Sequence, residues 1–227
     1  YCWRGGQRSG SFAVILKQIG WRADTVDGGY RSYRRMVARM LHDDPLPWRP
    51  VLIDGYTGSA KTQLLKHLKA EGAQVVDLEG LADHRGSLFG GMVGPQPRQK
   101  MFESRLAGAL APLDPGRPVY LEAESNKVGD LLIPGSVWKA MLAAPRIEVS
   151  APLTDRAAHL IETYTELTSD PAAVSAILEK LRPYHPGDRI AEWQSLTGTG
   201  DFHRLCTELM RDHYDPRYAK SSARKTA

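Results

Sequence analysis

The chain has 227 residues, of which 42% are hydrophobic and 25% charged, and its formal net charge is +4 at pH 7. This length allows one or two domains with a buried core, and no apolar run approaches the ~20 residues that span a bilayer. Two cysteines, Cys2 and Cys206, are too few for a disulfide framework. The composition therefore argues against a disulfide-stapled scaffold and against a membrane-spanning helix.

A cysteine lies at the head of a short loop rich in glycine and arginine, YCWRGGQRS at residues 1–9. Arg4, Arg8, the backbone N–H groups of the loop and the N-terminus of the next helix favour the thiolate form of Cys2. Such a thiolate can accept sulfur or selenium and pass it on; the alternative is an idle cysteine in a turn. We expect Trp3 to wall the loop rather than to stack on a base. The apolar residues from Ser11 to Ile19 predict the helix that follows.

Basic residues are concentrated before residue 42. Residues 1–41 hold eight Lys or Arg against two Asp, which gives this segment a net charge of +6. Four of the arginines recur at helical spacing with two tyrosines between them, a pattern that suits a helix lying on RNA phosphates. The alternative is a solvated helix between domains. The residues are Arg31, Arg34, Arg35 and Arg39, with Tyr30 and Tyr33 between them.

A phosphate-binding loop follows the break DDPLP at residues 43–47, where we place a domain boundary within residues 42–48. Residues 50–54 read as a buried strand that runs into GYTGSAKT at residues 55–62 and then into a helical pattern. In such a loop the backbone amides surround a phosphate, the lysine reaches its outer oxygens and the threonine can ligate Mg²⁺. The residues in these roles are Gly55, Thr57, Gly58, Ser59, Ala60, Lys61 and Thr62. Ala60 replaces the usual glycine, and we expect the loop to survive with altered affinity; the alternative is a plain strand–turn–helix connection.

Strands and helices alternate after this loop. The helix stops at Gly72, further strands are predicted at residues 73–78, 119–121 and 147–149, and a helix at residues 99–110. This order predicts an α/β fold with a parallel sheet that binds ligands at the carboxyl ends of its strands. From Asp155 onward the pattern is helical, with breaks at Pro171 and at residues 183–187 and 198–200. We expect this helical C-terminal part to cover the phosphate site or to receive RNA, and residues 217–227 to form a disordered basic tail.

Acidic residues stand at the ends of two predicted strands. Asp77 and Glu79 end the second strand, and Glu122 and Glu124 follow the third. A carboxylate in that position can hold Mg²⁺ through water or transfer a proton; the alternative for Glu122 is an ordinary salt bridge or cap. We predict no tight metal site, only Mg²⁺ bound through Thr62.

The loop after the second strand carries the sequence HRGS at residues 84–87. Arg85 is expected to neutralise phosphate charge, and His84 to transfer a proton or contact RNA. Cys206 lies on an apolar helix face, which predicts a buried structural thiol.

Together these motifs resemble the tRNA 2-selenouridine synthases, and the resemblance spans the whole chain. It is carried by the cysteine loop with Gly28-Gly29-Tyr30, by GYTGSAKT, and by DLEGLADHRGSLFG at residues 77–90, with further matches at residues 99–103, 121–125, 129 and 213–216. The resemblance implies an enzyme that replaces the sulfur of wobble 2-thiouridine in tRNA by selenium from selenophosphate, through an S-geranylated intermediate made from geranyl diphosphate. It also implies that Cys2 serves the selenium step. Geranyl diphosphate is favoured over a nucleotide as the ligand of residues 55–62, although the residues alone leave both open.

The resemblance further implies a domain arrangement. Residues 1–41 are expected to be the C-terminal part of a rhodanese-like domain with a basic linker helix, and residues 42–216 a P-loop domain with a helical appendage. We expect the chain to be a fragment with little selenium transfer of its own, because so small a rhodanese part lacks a core. An apolar channel for the geranyl chain is expected in the helical C-terminal part, including Trp138, Met141 and Leu142.

The expected setting is the cytoplasm, with tRNA and a selenophosphate-supplying enzyme as partners and with no membrane. Two alternatives stay open. One is a P-loop nucleotide kinase or NTPase, and the other is a noncatalytic tRNA-binding module.

Overall fold

The computed structural model describes residues 2–91 and 94–223, with side chains up to residue 220. Tyr1 of the cysteine loop, and Arg224 and Lys225 of the expected basic tail, lie outside the described residues. No helix among the described residues is both long enough and apolar enough to cross a bilayer.

Within the described part of the chain, six strands form two sheets. In chain order they are β1 (Arg49–Asp54), β2 (Gln74–Val76), β3 (Pro118–Glu122), β4 (Lys127–Val128), β5 (Leu131–Leu132) and β6 (Arg146–Glu148). The main sheet is parallel throughout, in the order β2-β3-β1-β6, while β4 and β5 form a small antiparallel pair. Leu52 of β1 pairs with Leu121 of β3. The prediction of an α/β fold with a parallel sheet is confirmed.

Twelve α-helices surround the sheet or follow it within the described residues. They are α1 (Gln7–Gln18), α2 (Gly29–Ala38), α3 (Lys61–Ala70), α4 (Leu78–Leu81), α5 (Gln99–Leu110), α6 (Gly135–Ala143), α7 (Leu153–Thr163), α8 (Thr165–Thr168), α9 (Pro171–Glu179), α10 (Gly187–Thr199), α11 (Phe202–Leu209) and α12 (Asp215–Ala223). Turns of π-helix at Arg39–Asp43 and Met210–Tyr214 extend α2 and join α11 to α12.

The basic helix α2 packs into the core beside the main sheet. Val37 and Leu41 lie one helical turn apart, and both are buried in the same core as Leu52 of β1 and Phe102 of α5. Such spacing places both side chains on one helix face. The helix therefore packs against elements that follow the boundary expected at residues 42–48. The position of that boundary stays a prediction.

Helix α1 forms where the sequence predicts a helix, but it buries no side chain. Phe12, Val14 and Ile15 are each more than half exposed. Nothing in its packing tests the rhodanese-like part, which stays a prediction.

The C-terminal helices build a second core, in which Leu178, Trp193 and Leu205 are buried. The predicted helical character from Asp155 onward is confirmed. Pro171 begins α9 rather than interrupting a helix, because a proline tolerates the first helical position. The expectation of a disordered tail is wrong for residues 217–223, which lie in α12.

Candidate phosphate-binding site

The loop between β1 and α3 approaches its neighbours closely at two glycines. Gly55 has φ 147°, and a Cβ there would lie 2.3 Å from the carbonyl oxygen of Val149. At Gly58, with φ 83°, a Cβ would lie 2.8 Å from the carbonyl oxygen of Arg156. Any larger residue at these positions would push the loop away from β6 and α7. The loop then delivers the chain to the N-terminus of α3, where free backbone N–H groups favour an anion.

Ala60 adopts the left-handed conformation, with φ 59° and ψ 28°. A residue with a Cβ is strained there by roughly 1–2 kcal/mol relative to the right-handed region. The position is the one at which such loops usually carry glycine, and the loop keeps its shape despite the alanine.

Lys61 lies inside the curve of the loop. Its Nζ donates hydrogen bonds to the carbonyl oxygens of Gly55 at 2.7 Å and Tyr56 at 3.2 Å. Burial lowers the pKa of Lys61, and the nearby carboxylates of Glu124 and Glu79 oppose that change. The lysine is the positive charge at the centre of a group of acidic side chains.

Glu79 and Glu124 face each other beside Lys61. Thr62 Oγ1 donates a hydrogen bond to Glu79 Oε2 at 3.3 Å. Burial raises the pKa of Glu79 to about 8, and repulsion by Glu124 adds to the shift. Glu79 lies in α4 and not at a strand end as expected, because Asp77 ends β2 early by capping α4 and accepting a hydrogen bond from Gly80 N at 2.7 Å.

Glu122 lies at the end of β3, behind the other carboxylates, and is only 1% exposed. Its Oε2 accepts a hydrogen bond from Leu78 N at 3.3 Å, while Oε1 has no partner among the described residues. Burial raises the pKa of Glu122 to about 8, with repulsion from Asp77 and Glu79 as further causes. An orphaned buried oxygen of this kind is costly.

The HRGS loop closes one side of the site. Arg85 forms an ion pair of 2.5 Å with Glu166, and its guanidinium lies 4.7 Å from the centre of the Tyr164 ring. His84 Nδ1 accepts a hydrogen bond from Gly86 N at 3.0 Å, and burial lowers the pKa of His84. A Cβ on Gly86 would lie 2.8 Å from Glu79 Oε1. The loop therefore approaches the carboxylates as closely as its glycine allows.

Two C-terminal helices contact the phosphate loop, as expected of a helical part that covers the phosphate site, but sequence reasoning did not single out the side chains that make the contacts. Arg156 of α7 donates to the carbonyl oxygen of Thr57 at 2.8 Å and forms two hydrogen bonds, of 2.9 and 2.6 Å, with the carboxylate of Asp215. Tyr218 of α12 accepts a hydrogen bond from Gly55 N at 2.9 Å and donates one to Asp54. The only signal in the sequence was the match at residues 213–216, which contains Asp215.

These elements surround a cleft of about 640 Å³. The phosphate loop, Glu79, His84, Arg85 and Glu124 all line it, as do Lys66 and His159, which sequence reasoning did not single out. Among the described residues, no three His, Cys, Asp or Glu side chains are arranged to hold a metal ion by themselves. The cleft joins a helix N-terminus and cationic side chains to a carboxylate pair, and this combination can bind a phosphate ester together with a divalent cation.

The cysteine loop is a separate feature, and Cys2, Arg4 and Arg8 do not line the described cleft. Gly29, with φ 63°, packs so tightly against it that a Cβ would lie 2.5 Å from the carbonyl oxygen of Cys2. A hydrogen bond from Ser9 lowers the pKa of the Cys2 thiol, and the charge of Arg8 adds to this effect.

The four arginines of the basic helix differ in their surroundings. Arg34 forms an ion pair with Glu103 of α5, and its side chain is only 14% exposed. Arg39 pairs with Asp44 on the surface. Arg31 and Arg35 are exposed. The arginine spacing in the sequence therefore mixes a structural residue with surface residues.

Trp138, Met141 and Leu142 do not form the expected apolar channel. Met141 is buried in the sheet core with Trp138 packed against it, and Leu142 is half exposed on α6. None of the three lines the described cleft. Cys206 is half-buried, and burial raises the pKa of its thiol to about 11.

The comparisons with known proteins all give one description. The family model for the tRNA 2-selenouridine synthase AAA domain matches residues 48–180. Three curated proteins named tRNA 2-selenouridine synthase are similar to this chain. That of Hahella chejuensis is 35% identical over 221 residues, covering 96% of this chain and 52% of the relative. That of Shewanella frigidimarina is 36% identical and covers 73% of this chain and 45% of the relative. That of Pseudomonas syringae pv. syringae is 31% identical and covers 100% of this chain and 69% of the relative. The chain spans about half the length of the first two relatives, and no solved structure matches it.

Proposed function

Because this chain belongs to the tRNA 2-selenouridine synthase family, we propose that it supplies the phosphate-binding domain of an enzyme that exchanges sulfur for selenium in tRNA 2-thiouridine. The domain binds geranyl diphosphate at residues 55–62 and transfers its geranyl group to the sulfur. The observation that carries the proposal is the glycine-rich loop with Lys61 at the wall of the 640 Å³ cleft.

The proposed first step is an alkylation of sulfur. The thiouridine sulfur attacks the geranyl carbon that bears the diphosphate, the bond from that carbon to oxygen breaks, and the diphosphate leaves with the electron pair. The product loses the proton of the neighbouring ring nitrogen. In the second step the selenium of selenophosphate attacks the uracil ring carbon that bears the sulfur, and geranyl thiolate leaves from that carbon. Water then cleaves the selenium–phosphorus bond to release phosphate.

The residues of the cleft suit the first step. Lys61 and the N-terminus of α3 stabilise the negative charge that builds on the leaving diphosphate, and Arg85 neutralises its outer oxygens. Burial and repulsion by Glu124 raise the pKa of Glu79 to about 8. The ionised form of Glu79 is therefore a base able to accept the proton that the alkylated thiouridine releases.

A divalent cation fits the same cleft. Thr62 Oγ1 donates a hydrogen bond to Glu79 Oε2 at 3.3 Å, and a cation held by these two side chains would relieve the repulsion between Glu79 and Glu124. Mg²⁺ bound there would neutralise charge on the leaving group. Thr62 and Glu79 would be its protein ligands.

The exposed part of the basic helix is the proposed tRNA surface. Arg31 and Arg35 are exposed, and Trp3 is 56% exposed with its ring centre 5.3 Å from that of Tyr30. Cationic side chains beside an accessible indole suit RNA phosphate and unstacked bases. Arg34 is left out of this surface, because its guanidinium already pairs with Glu103.

Cys2 serves the selenium step in this proposal, supported by the lowered pKa of its thiol. Selenophosphate is the donor, supplied by a separate enzyme, and the reaction takes place in the cytoplasm. The helices after residue 152 hold the phosphate loop in place through Arg156 and Tyr218.

The test is a competition for the phosphate loop. Calorimetry should give tighter binding of geranyl diphosphate than of ATP or GTP in the presence of Mg²⁺, and Lys61→Ala should weaken that binding at least tenfold. Lys69→Ala is the matched control, because Lys69 is exposed on the same helix and does not line the cleft. Tight ATP or GTP binding that geranyl diphosphate fails to displace would refute the proposal in favour of a nucleotide kinase or NTPase.

A further inference from the structure

A second, apolar cavity lies directly beside the phosphate cleft. It measures about 70 Å³ and lies between α7, α8, α9 and α11, with the loop at residues 87–89 along one side. Almost all of its lining is apolar, and Leu160, Leu167, Val174 and Leu209 are among the side chains that form it. This volume is several times the ~10–15 Å³ that a single water needs, but an apolar lining offers water no hydrogen-bond partners. The cavity is therefore suited to hydrocarbon.

The cavity and the cleft share their wall next to the phosphate loop. Thr57, Ser87, Leu160, Tyr164 and Tyr214 line both spaces. Leu160 is also a direct neighbour of the loop, since a Cβ on Gly58 would lie 3.2 Å from its Cγ. A molecule with its phosphate end at Lys61 thus has an apolar space within reach of its other end.

The chemistry of the shared wall narrows the class of ligand. The polar groups at the junction are the hydroxyls of Thr57, Ser87, Tyr164 and Tyr214, while the deeper lining has Leu167, Val174 and similar side chains. A nucleoside buried there would lose the hydrogen bonds of its base and ribose without replacement, which is unfavourable. The hydrocarbon chain of a phosphate ester has no hydrogen bonds to lose.

We propose that this cavity is the subsite for the hydrocarbon end of the diphosphate substrate, and that it holds the isoprene unit farthest from the diphosphate. The inference rests on the proposed function that residues 55–62 bind an allylic diphosphate. The first isoprene unit lies along Leu160 and Tyr164 at the junction, and the second enters the space beside Cys206 of α11. Because each buried methylene contributes roughly fourfold in affinity, the subsite favours geranyl over dimethylallyl diphosphate by at least about tenfold.

Filling the cavity tests the inference. Cys206 lines it and is half-buried, so Cys206→Leu reduces the space without adding a polar group. Thr207→Leu is the matched control, because Thr207 is the next residue on α11 and lies outside the lining. Calorimetry with Cys206→Leu should show at least tenfold weaker binding of geranyl diphosphate and unchanged binding of dimethylallyl diphosphate and pyrophosphate. Geranyl diphosphate binding equal to that of the wild type would overturn the inference and leave the proposed function standing.

A second measurement avoids the core substitution, in case Cys206→Leu does not fold. In a Cys2→Ser background Cys206 is the remaining thiol, and its alkylation by N-ethylmaleimide can be followed by mass spectrometry. Geranyl diphosphate should slow this alkylation at least fivefold at concentrations where pyrophosphate has no effect. Equal alkylation rates with geranyl diphosphate and with pyrophosphate would mean that the geranyl group lies outside this cavity. If neither geranyl diphosphate nor pyrophosphate binds the wild type, the proposed function is refuted together with the subsite.

Discussion

Replacement of Glu122 by glutamine is predicted to remove a pH-dependent destabilisation of the fold. Glu122 is 1% exposed and its Oε1 has no partner among the described residues. Burial raises its pKa from the ordinary value of 4.5 to about 8. Between these two values the folded state keeps a proton that the unfolded chain has released, so stability falls as the pH rises through this window. The slope is about 1.4 kcal/mol per pH unit, which makes the cost on the order of 3 kcal/mol at pH 7.

Urea unfolding from about pH 5 to about pH 8, followed by tryptophan fluorescence, measures this effect. The wild type should lose stability across the window, and Glu122→Gln should flatten the slope by about 1.4 kcal/mol per pH unit. A part of the slope should remain, because burial also raises the pKa of Glu79 to about 8. Glu71→Gln, a substitution at an exposed position at the end of α3, should leave the slope unchanged. An identical slope in the wild type and Glu122→Gln would refute the argument that Glu122 is buried without compensation.

Four further substitutions test the loop and the basic helix. Ala60→Gly should raise the free energy of unfolding by up to about 1 kcal/mol, because relief of left-handed strain exceeds the added entropy of the unfolded chain; a lower urea midpoint would contradict this. Arg156→Leu leaves Asp215 without its partner beside the phosphate loop and should lower the free energy of unfolding by about 3 kcal/mol. Calorimetry should also show weaker pyrophosphate binding. Unchanged binding and stability would contradict the role of Arg156 in holding the loop. Arg31→Ala should lower the salt dependence of tRNA binding by about one unit, whereas Arg34→Ala should mainly lower stability. Filter binding at several salt concentrations separates the two, and equal effects on tRNA binding would contradict the distinction.

The elements that the sequence predicted well are those specified by local pattern. The strand at residues 50–54, the loop at residues 55–62 and the following helix are formed by neighbouring residues, and the structure has them as β1, the loop and α3. The helix predicted at residues 99–110 has the same bounds as α5, because its apolar residues recur with helical periodicity. Local pattern also placed Ala60 at the position before the lysine, but only the backbone shows that this alanine is left-handed.

Contacts between distant parts of the chain explain most of what the sequence missed. Arg31, Arg34 and Arg35 all belong to one pattern of helically spaced arginines, which does not distinguish them. Arg34 is buried against Glu103, which is 69 residues away, because α5 packs opposite α2. Arg156 and Asp215 are 59 residues apart, and their ion pair forms because α7 and α12 meet at the loop. Pattern reasoning has no access to such pairings, since neither partner alone differs from a surface residue.

The same limit applies to the geranyl channel, expected in the helical C-terminal part but with Trp138, Met141 and Leu142 in its lining. Apolar residues on a helix have one signature whether they fill a core or line a cavity. The structure assigns Met141 to the sheet core, while the apolar cavity beside the phosphate loop is lined from α7, α8, α9 and α11. That cavity exists because these four helices leave a space between them. No single segment of the sequence encodes such a space.

Transfer of geranyl to tRNA tests the central claim most directly. The chain is incubated with thiouridine-containing tRNA, Mg²⁺ and geranyl diphosphate, and the nucleosides are analysed by mass spectrometry, beside Lys61→Ala and the control Lys69→Ala. We predict S-geranylated thiouridine with the wild type and with Lys69→Ala, and its loss with Lys61→Ala. Unmodified thiouridine after incubation with folded wild-type chain that binds both tRNA and geranyl diphosphate would contradict the account.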